Sequence, residues 1–141
     1  HAVHTPTEMM SGRAEDMKMC YVSLGSNLPD GRDRIAGAIA WLHDVMEVER
    51  SSEIYTTPSV SAGDDSTYFN AVARCLTDLQ PMQIESLLKR YEADSGRRRE
   101  PGCHSVTIDL DLVLFDGDVL RPRDAAREYF LIGFSQIGGN R

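Results

Sequence analysis

Two aspartates stand two residues apart in an otherwise apolar run, residues 107–115, with the sequence TIDLDLVLF. Because side chains alternate between the two faces of a strand, the spacing predicts that Asp109 and Asp111 lie on one face. The aliphatic residues of the run are expected on the opposite face: Ile108, Leu110, Leu112 and Leu114. Two carboxylates about 5 Å apart repel each other by on the order of 3 kcal/mol at an effective dielectric constant of about 20, so the pair requires a compensating charge.

A cation is the simplest compensation for this pair, and the ligand chemistry indicates which cation. Carboxylate oxygens without a neighbouring cluster of Cys or His suit Mg²⁺, which commonly takes one or two protein carboxylates and completes its shell with water and phosphate oxygens. Two alternatives stay open from the residues alone. The aspartates can be solvated on an exposed strand face, or they can be neutralised by arginine.

Composition and charge narrow the class of protein. The chain has 141 residues, 41% hydrophobic and 26% charged, which is typical of one globular domain. Its net charge of −7 argues against a nonspecific nucleic-acid binder. The spacing of the three cysteines fits neither a disulfide framework nor a zinc site, which favours the cytoplasm, and no apolar run is as long as a membrane span. Residues 1–18 are predicted to be a disordered tail or an expression remnant, and residues 19–141 one domain.

Hydrophobic periodicity predicts a sheet with two helices. Strands are predicted at residues 19–24, 48–55, 68–76 and 107–115, and helices from about residue 29 and over residues 81–96. Residues 116–118, Asp-Gly-Asp, predict a hairpin turn into a short extra strand. This order, β-α-β-β-α-β plus a hairpin strand, is typical of a ferredoxin-like α+β sandwich whose helices cover one sheet face.

Three further segments have a functional and an ordinary interpretation. Residues 25–27, GSN, are interpreted as a strand-to-helix turn, because no Gly-Lys-Ser/Thr follows at the spacing of a phosphate-binding loop. Asn70 and the backbone of residues 57–60 offer donors and acceptors to a planar heterocycle, with aromatic side chains nearby for stacking. Residues 97–99, three arginines, suit phosphate binding beside the aspartates, although a solvated loop is the ordinary interpretation.

Six segments in order give the chain a family likeness. They are YVSLGSNL, YTTPSV, YFNAV, KRYEADSGRRR, TIDLDLVLF and REYFLIGFSQI. With these segments the chain resembles the hydroxymethyl-dihydropterin pyrophosphokinases of folate synthesis, collinearly over residues 20–137. The resemblance implies transfer of the β,γ-pyrophosphoryl group of ATP to the hydroxymethyl group of a dihydropterin, with release of AMP.

The resemblance also implies a role for individual residues. Asp109 and Asp111 are the expected ligands of two Mg²⁺ ions that accompany ATP, and with Arg99 they form the expected catalytic set. The residues expected to line the pterin slot are Thr57, Pro58, Val60, Tyr68, Asn70 and Tyr129. The residues expected on the ATP side are Glu92, Arg97, Arg99 and Arg127.

The departures from the family pattern concern the nucleotide side. Val106 stands where the family usually has an arginine before its Asp-x-Asp, and the aromatic residue usual there is missing. The segment between Val119 and Arg127 is shorter than usual and lacks a histidine that contacts ATP in the family. Residues 96–105 are expected to form a lid over the triphosphate.

Three functions are therefore compared. The first is an active pyrophosphokinase, the second is a pterin- or nucleotide-binding relative with weak or no transfer, and the third is a ferredoxin-like interaction or RNA-binding module. The acidic balance of the chain argues against the third. The first implies a cytoplasmic enzyme, expected to be a monomer, that uses ATP and a dihydropterin and binds neither nucleic acid nor a membrane.

Overall fold

The computed structural model describes residues 16–96 and 105–138, and this part of the chain forms one sheet of six strands with four helices. The strands are β1 (Lys18–Ser26), β2 (Glu47–Ser51), β3 (Tyr55–Pro58), β4 (Thr67–Thr77), β5 (Asp109–Phe115) and β6 (Asp118–Val119). The helices are α1 (Gly31–Val45), α2 (Pro81–Asp94), α3 (Pro122–Ala125) and α4 (Glu128–Gln136).

The sheet has the strand order β2-β4-β1-β5-β6, and β3 pairs with the same strand, β4, as β2 does. Each of these pairs is antiparallel. The predicted α+β class and the β-α-β-β-α-β order with an extra hairpin strand are therefore confirmed. Strand β1 lies between β4 and β5, and β5 pairs with β1 at Asp109 and Asp111 and with the two-residue β6 only at Leu114 and Phe115.

Helices α1 and α2 cover one face of the sheet, as the apolar spacing predicts. Ile35, Ala38 and Leu42 of α1, at i, i+3 and i+7, are fully buried in the same cluster as Ile84 and Leu88 of α2. Each fully buried aliphatic side chain stabilises the fold by about 1.5–3 kcal/mol. The strand residues of this cluster include Val22, Leu24, Ala71, Ala73, Leu110 and Leu112.

The expectation that helices cover only one sheet face needs correction. Helix α4 packs on the opposite face, where Phe130, Phe134 and Ile137 form a second buried cluster with Val72 and Val113. The physical reason is visible in the sequence, because the three α4 residues recur at i, i+4 and i+7, the stripe of an amphipathic helix. The segment was interpreted only as part of the family likeness and not as an element that needs a sheet face.

A β-bulge changes the face of one residue in β5. The pairing of β5 with β1 shifts register between Tyr21 and Val22, so that Leu112 pairs with Val22 but Leu114 pairs with Tyr21. Leu114 therefore packs with the α4 cluster and not with the α1/α2 cluster. The prediction that Leu114 shares a face with Leu112 is wrong, since the extra residue of a bulge breaks the alternation.

Two predicted boundaries also differ from the structure. The strand predicted over residues 48–55 is two strands, because the chain leaves the sheet at Ser52, whose Oγ accepts a hydrogen bond from the Val72 backbone N–H at 2.9 Å. Lys18, predicted to end the tail, is the first residue of β1 and pairs with Thr77. Residues 1–15 of the predicted tail lie outside the described residues.

Tyr55 fixes α4 against β3. Its hydroxyl donates to the Tyr129 carbonyl oxygen at 2.6 Å and accepts from the Gly133 backbone N–H at 3.0 Å. A Cβ atom at position 133 would lie 2.7 Å from the Tyr55 hydroxyl oxygen and 2.7 Å from Val72 Cγ2, so this close approach requires glycine. The contact sets the position of Tyr129 at the start of α4.

Candidate active site

The two aspartates of β5 share a face, as the sequence predicts. Asp109 pairs with Gly25 and Asp111 with Ser23 of β1, while the intervening Leu110 is fully buried under the helices. Both carboxylates are half-buried and line a cavity on the sheet face that α1 and α2 do not cover.

This cavity has a volume of about 180 Å³ and brings together the residues predicted to bind the pterin. All six residues expected in the pterin slot line it: Thr57, Pro58, Val60, Tyr68, Asn70 and Tyr129. The remaining lining comes from Asp109, Asp111, the β1 residues Ser23, Leu24 and Gly25, and the loop residues Ser59 and Ser61. The cavity thus places a set of neutral polar and aromatic side chains directly beside the two carboxylates.

Neutral hydrogen bonds hold the wall around Asn70. The side chain of Asn70 is 3% exposed, and its Nδ2 donates to Thr57 Oγ1 at 2.8 Å and to the Tyr68 carbonyl oxygen at 3.2 Å. Across the cavity floor, a Cβ atom at Gly25 would lie 3.6 Å from Asn70 Oδ1 and 3.7 Å from Tyr68 Cδ2. The absence of a side chain at Gly25 leaves the space beside the Asn70 oxygen open to a ligand.

Two cationic side chains lie beside one carboxylate oxygen of Asp111. Its Oδ1 accepts a hydrogen bond from Lys89 Nζ at 3.3 Å and lies 3.4 Å from a terminal nitrogen of Arg121. Burial and the neighbouring charge of Asp109 nevertheless raise the pKa of Asp111 to about 6, against the opposing effect of the two cations. The charged form of this buried carboxylate would therefore be stabilised by a further cation beside it.

Lys89 connects the Asp111 carboxylate to helix α2. Its ammonium group also donates to Glu92 Oε2 and to the Leu110 carbonyl oxygen, both at 3.1 Å. Glu92 is 1% exposed, and the same Oε2 accepts from the Leu110 backbone N–H at 2.7 Å. The structure places Glu92, expected on the ATP side, in the contact between α2 and β5 and not on the cavity wall.

Tyr129 is connected to the same group of charges. Its hydroxyl donates a short hydrogen bond to Asp124 Oδ1, and Asp124 in turn lies 3.9 Å from Arg121. Burial, first, and the bond to Asp124 raise the pKa of the Tyr129 phenol, so the phenol stays protonated across the physiological range.

The predicted ATP-side arginines divide into two groups. Arg127 lies at the start of α4 and lines a second cavity of about 300 Å³, which shares Thr57, Pro58, Val60 and Tyr129 with the first. Arg97 and Arg99 lie outside the described residues, as does most of the predicted lid, residues 97–104.

The sequence interpretation missed three charged residues and one amide. Arg121 and Asp124 come from the short segment after β6 and have no local motif that marks them, whereas Lys89 opens the family-like segment KRYEADSGRRR but was given no role. Asn27 was interpreted as part of a simple turn. Its Oδ1 accepts from the Val106 backbone N–H at 2.6 Å, and its Nδ2 donates to Ser66 Oγ at 3.1 Å, so it joins the segment before β5 to the segment before β4.

Comparison with known sequences agrees with this geometry. The family model described as 7,8-dihydro-6-hydroxymethylpterin-pyrophosphokinase (HPPK) matches residues 21–138. The chain belongs to this family. The match runs from Tyr21 in β1, through the residues that line the cavity, to the end of α4. The predicted family likeness is therefore confirmed.

Individual relatives carry the same description. A 2-amino-4-hydroxy-6-hydroxymethyldihydropteridine pyrophosphokinase of Bacillus subtilis is 33% identical over 129 residues, covering 84% of this chain and 77% of the relative. One of Pseudomonas putida is 36% identical over 115 residues, covering 79% of this chain and 94% of the relative. One of Aquifex aeolicus is 28% identical over 107 residues, covering 76% of this chain and 67% of the relative.

Two structural features are absent from the described residues. No group of three or more His, Cys, Asp or Glu side chains there has the arrangement of a metal site. None of the helices in residues 16–96 and 105–138 has the length and apolar character of a membrane span.

Proposed function

We propose that this protein transfers the β,γ-pyrophosphoryl group of ATP to the hydroxymethyl group of 6-hydroxymethyl-7,8-dihydropterin in folate biosynthesis, releasing AMP. The observation that carries the proposal is the single cavity of about 180 Å³ in which the six expected pterin residues meet both aspartates. Family membership gives the same reaction class, an ATP-dependent diphosphotransferase. The cavity then offers adjacent binding sites to a neutral planar substrate and to a metal-bound polyphosphate.

Asp109 and Asp111 are proposed to hold Mg²⁺, with two ions present when ATP is bound. Their fit to the ion rests on three features of the site: oxygen-only donors, a shared face, and the burial of Asp111 beside the charge of Asp109, which raises the pKa of Asp111 to about 6. When bound, the ions supply charge neutralisation of the phosphates and Lewis-acid activation of the attacking hydroxyl. Metal binding requires ionised Asp111, so it should strengthen as the pH rises through about 6.

The reaction is a displacement at phosphorus. The hydroxymethyl oxygen of the pterin forms a bond to the β-phosphorus, and the bond from that phosphorus to the oxygen bridging the α-phosphate breaks. AMP leaves with the bridging oxygen, and the hydroxyl proton passes to solvent. The protein's contribution to such a transfer is positioning and charge stabilisation, because it forms no covalent intermediate.

The pterin ring is proposed to lie against the wall formed by Thr57, Tyr68, Asn70 and Tyr129. The Asn70 amide, whose Nδ2 is held at 2.8 Å from Thr57 Oγ1, presents its Oδ1 to the open space above Gly25. That oxygen can accept from the ring nitrogens, and Tyr68 or Tyr129 can stack on the ring face. Pro58 and Val60 provide the apolar rim.

The triphosphate is proposed to be held by Arg97, Arg99 and Arg127. Arg127 lines the second cavity, which shares Thr57, Pro58, Val60 and Tyr129 with the first, and this supports a role next to the substrate. Guanidinium groups bind phosphate oxygens in pairs and stabilise the charge that develops on them. Closure of residues 96–105 over the triphosphate would exclude water from the transfer.

The proposal is tested by the products of one incubation. Protein, ATP, Mg²⁺ and 6-hydroxymethyl-7,8-dihydropterin should yield AMP and pterin diphosphate in equal amounts, measured by chromatography and phosphorus NMR. The matched controls omit the pterin or replace Asp109 by Asn. Formation of ADP in place of AMP, or AMP formation that does not depend on the pterin, would contradict the proposed reaction.

Several properties of the whole protein stay predictions. They are a cytoplasmic location, a monomeric state, one domain over residues 19–141, and the absence of nucleic-acid and membrane binding.

A further inference from the structure

Ser23 is a buried polar residue of β1 on the floor of the cavity that holds both aspartates. It is 6% exposed and lies between Val72 of β4 and Asp111 of β5. Val72 is fully buried in the apolar α4 cluster, so its side chain offers the hydroxyl no polar partner. Asp111 directs its Oδ1 to Lys89, from which it accepts a hydrogen bond at 3.3 Å.

The hydroxyl of Ser23 makes no hydrogen bond to another of the described residues. Two other hydroxyls of the same cavity are engaged, because Thr57 Oγ1 accepts from Asn70 at 2.8 Å and Ser59 Oγ donates to Asp64 at 2.9 Å. Burial of a hydroxyl without a partner is unfavourable, and alanine would occupy the same place on the strand without that cost. A donor and acceptor that lines the cavity and is unused by the fold is available to a ligand.

The neighbouring positions on the sheet show which part of a substrate would reach this hydroxyl. Gly25, the next β1 residue on the same face, pairs with Asn70 on one side and with Asp109 on the other. Adjacent strands lie about 4.8 Å apart, so a planar molecule that runs from the Asn70 amide to the carboxylates crosses β1 above Gly25 and Ser23. The end that meets the carboxylates is the reacting hydroxymethyl group of the proposed function.

The pairing of Ser23 with Asp111 brings the hydroxyl close to that reacting end. Residues directly opposite each other on antiparallel strands have Cβ atoms about 4.5–5.5 Å apart. A substrate hydroxyl that points to the carboxylates therefore comes within hydrogen-bond reach of the Ser23 oxygen.

We propose that Ser23 binds the hydroxyl of the pterin's hydroxymethyl group and determines specificity for a substrate that carries a hydroxyl at this position. The inference rests on the proposed function, since it takes the Asn70 wall and the aspartates as the two ends of the pterin site. The Ser23 oxygen accepts from the substrate O–H, which orients the hydroxymethyl oxygen for attack on the β-phosphorus. Ser23 keeps its own proton and forms no covalent bond.

The test compares two ligands on the full chain by titration calorimetry. The ligands are 6-hydroxymethyl-7,8-dihydropterin and 6-methyl-7,8-dihydropterin, which lacks the hydroxyl. Ser23→Ala is compared with the parent, and Ser51→Ala, at an exposed serine of β2, is the matched control. We expect Ser23→Ala to lower the parent's preference for the hydroxymethyl ligand about fivefold, with the affinity for the methyl ligand within about twofold of the parent's.

The titrations are run in EDTA and again with Mg²⁺ and α,β-methylene ATP. A metal ion at the aspartates would also bind the substrate hydroxyl, so the measurement in EDTA isolates the contribution of Ser23. The fivefold loss of preference should appear under both conditions, and Ser51→Ala should keep the preference of the parent.

The outcomes separate this inference from the proposed function. Equal loss of both ligands in Ser23→Ala would show that the side chain only shapes the cavity, and an unchanged preference would show that it does not touch the hydroxymethyl group. Either result overturns the inference, while AMP formation by the parent would keep the proposed function. A loss of preference without AMP formation by the parent removes only the proposed transfer. A parent that binds neither pterin under either condition overturns both.

Thermal unfolding without ligand provides a second measurement. Because the fold does not use the Ser23 hydroxyl, the unfolding midpoint of Ser23→Ala should equal or exceed that of the parent. The midpoint of Ser52→Ala should fall, since Ser52 Oγ accepts from the Val72 backbone N–H at 2.9 Å. If the midpoint of Ser23→Ala falls as far as that of Ser52→Ala, the folded chain already uses the hydroxyl and the inference is overturned.

Discussion

The wall around Asn70 and the carboxylate cluster around Asp111 lie side by side in one cavity, but different forces hold them. In the wall, neutral groups bind one another: the Asn70 amide is buried and donates to Thr57 and to the Tyr68 carbonyl oxygen. The carboxylate cluster consists of Glu85, Asp109, Asp111 and Asp124, faced by two cations among the described residues, Lys89 and Arg121.

This difference indicates which of the two substrates each region is expected to bind. In the wall, the Asn70 amide nitrogen is held by Thr57 and the Tyr68 carbonyl oxygen without a ligand, so we expect the wall to select a neutral substrate by shape and by hydrogen bonds to the open Asn70 Oδ1. The carboxylate cluster differs, because burial and the neighbouring charge of Asp109 raise the pKa of Asp111 to about 6, so that its charged form would gain from an added cation. Changes in the wall are therefore expected in substrate affinity, and changes in the cluster in rate and pH dependence.

The largest effect is expected from Asp109→Ala or Asp111→Ala. Loss of a metal ligand removes several kcal/mol of transition-state stabilisation, so the transfer rate should fall by about 10³-fold or more. Initial rates of AMP formation measure the loss, and Asp44→Ala, on the exposed side of α1, is the control. Normal turnover by the double variant Asp109→Ala/Asp111→Ala would remove the metal assignment.

Arg99→Ala is expected to come next. If Arg99 stabilises the phosphates during transfer, its loss should lower kcat by about 10²-fold, while the affinity for the pterin changes little. Steady-state kinetics with each substrate varied in turn separates the two effects. An unchanged kcat with a weakened pterin affinity would move Arg99 from the nucleotide side to the pterin side.

Asn70→Ala tests the wall. The substitution removes both the anchor on Thr57 and the oxygen proposed to accept from the pterin, so the pterin should bind more weakly by about 1–3 kcal/mol. Calorimetric titration with the pterin measures this difference directly. The account is contradicted if Asn70→Ala binds the pterin as the parent does while remaining folded by circular dichroism.

The smallest effect concerns stability and pH. Because the folded chain raises the pKa of Asp111 from 3.8 to about 6, its protonated form favours folding. That contribution is fully present below about pH 3.8 and is lost as the pH rises through about 6. Asp111→Asn, which stays neutral, should therefore match the parent near pH 4 and exceed its free energy of unfolding by about 2–3 kcal/mol above pH 7.

Urea titrations in the presence of EDTA measure this dependence across the range. Asp118→Asn, on the exposed hairpin, is the matched control and should show no such rise. A stability difference between Asp111→Asn and the parent that is independent of pH would show that Asp111 is not destabilised by its charge.

The sequence predicts the wall and the aspartate pair for physical reasons of short range. The shared face of Asp109 and Asp111 depends only on the alternation of side chains along one strand, which the structure keeps up to Leu112. The helices α1 and α2 follow from apolar residues at helical spacing. The grouping of Asn70 with Tyr129 came from the family likeness, since these residues are 59 positions apart in the chain.

The features that the sequence could not predict depend on distant contacts. The bulge that turns Leu114 to the other face arises from the pairing of β5 with β1. Arg121 and Lys89 reach Asp111 from a turn and from a helix, and only the folded chain brings them together. The α4 helix is different, because its apolar stripe was available in the sequence and its place on the second sheet face could have been anticipated.

The central claim, that the wall binds the pterin and the carboxylate cluster binds the metal-nucleotide, is tested most directly by calorimetry on two variants with both ligands. Asn70→Ala should bind the pterin at least about fivefold more weakly and should bind Mg²⁺ with α,β-methylene ATP as the parent does. Asp109→Asn should show the reverse, with loss of the nucleotide complex and pterin affinity within about twofold of the parent's. Equal loss of both ligands in both variants would contradict the division of the cavity into two binding regions.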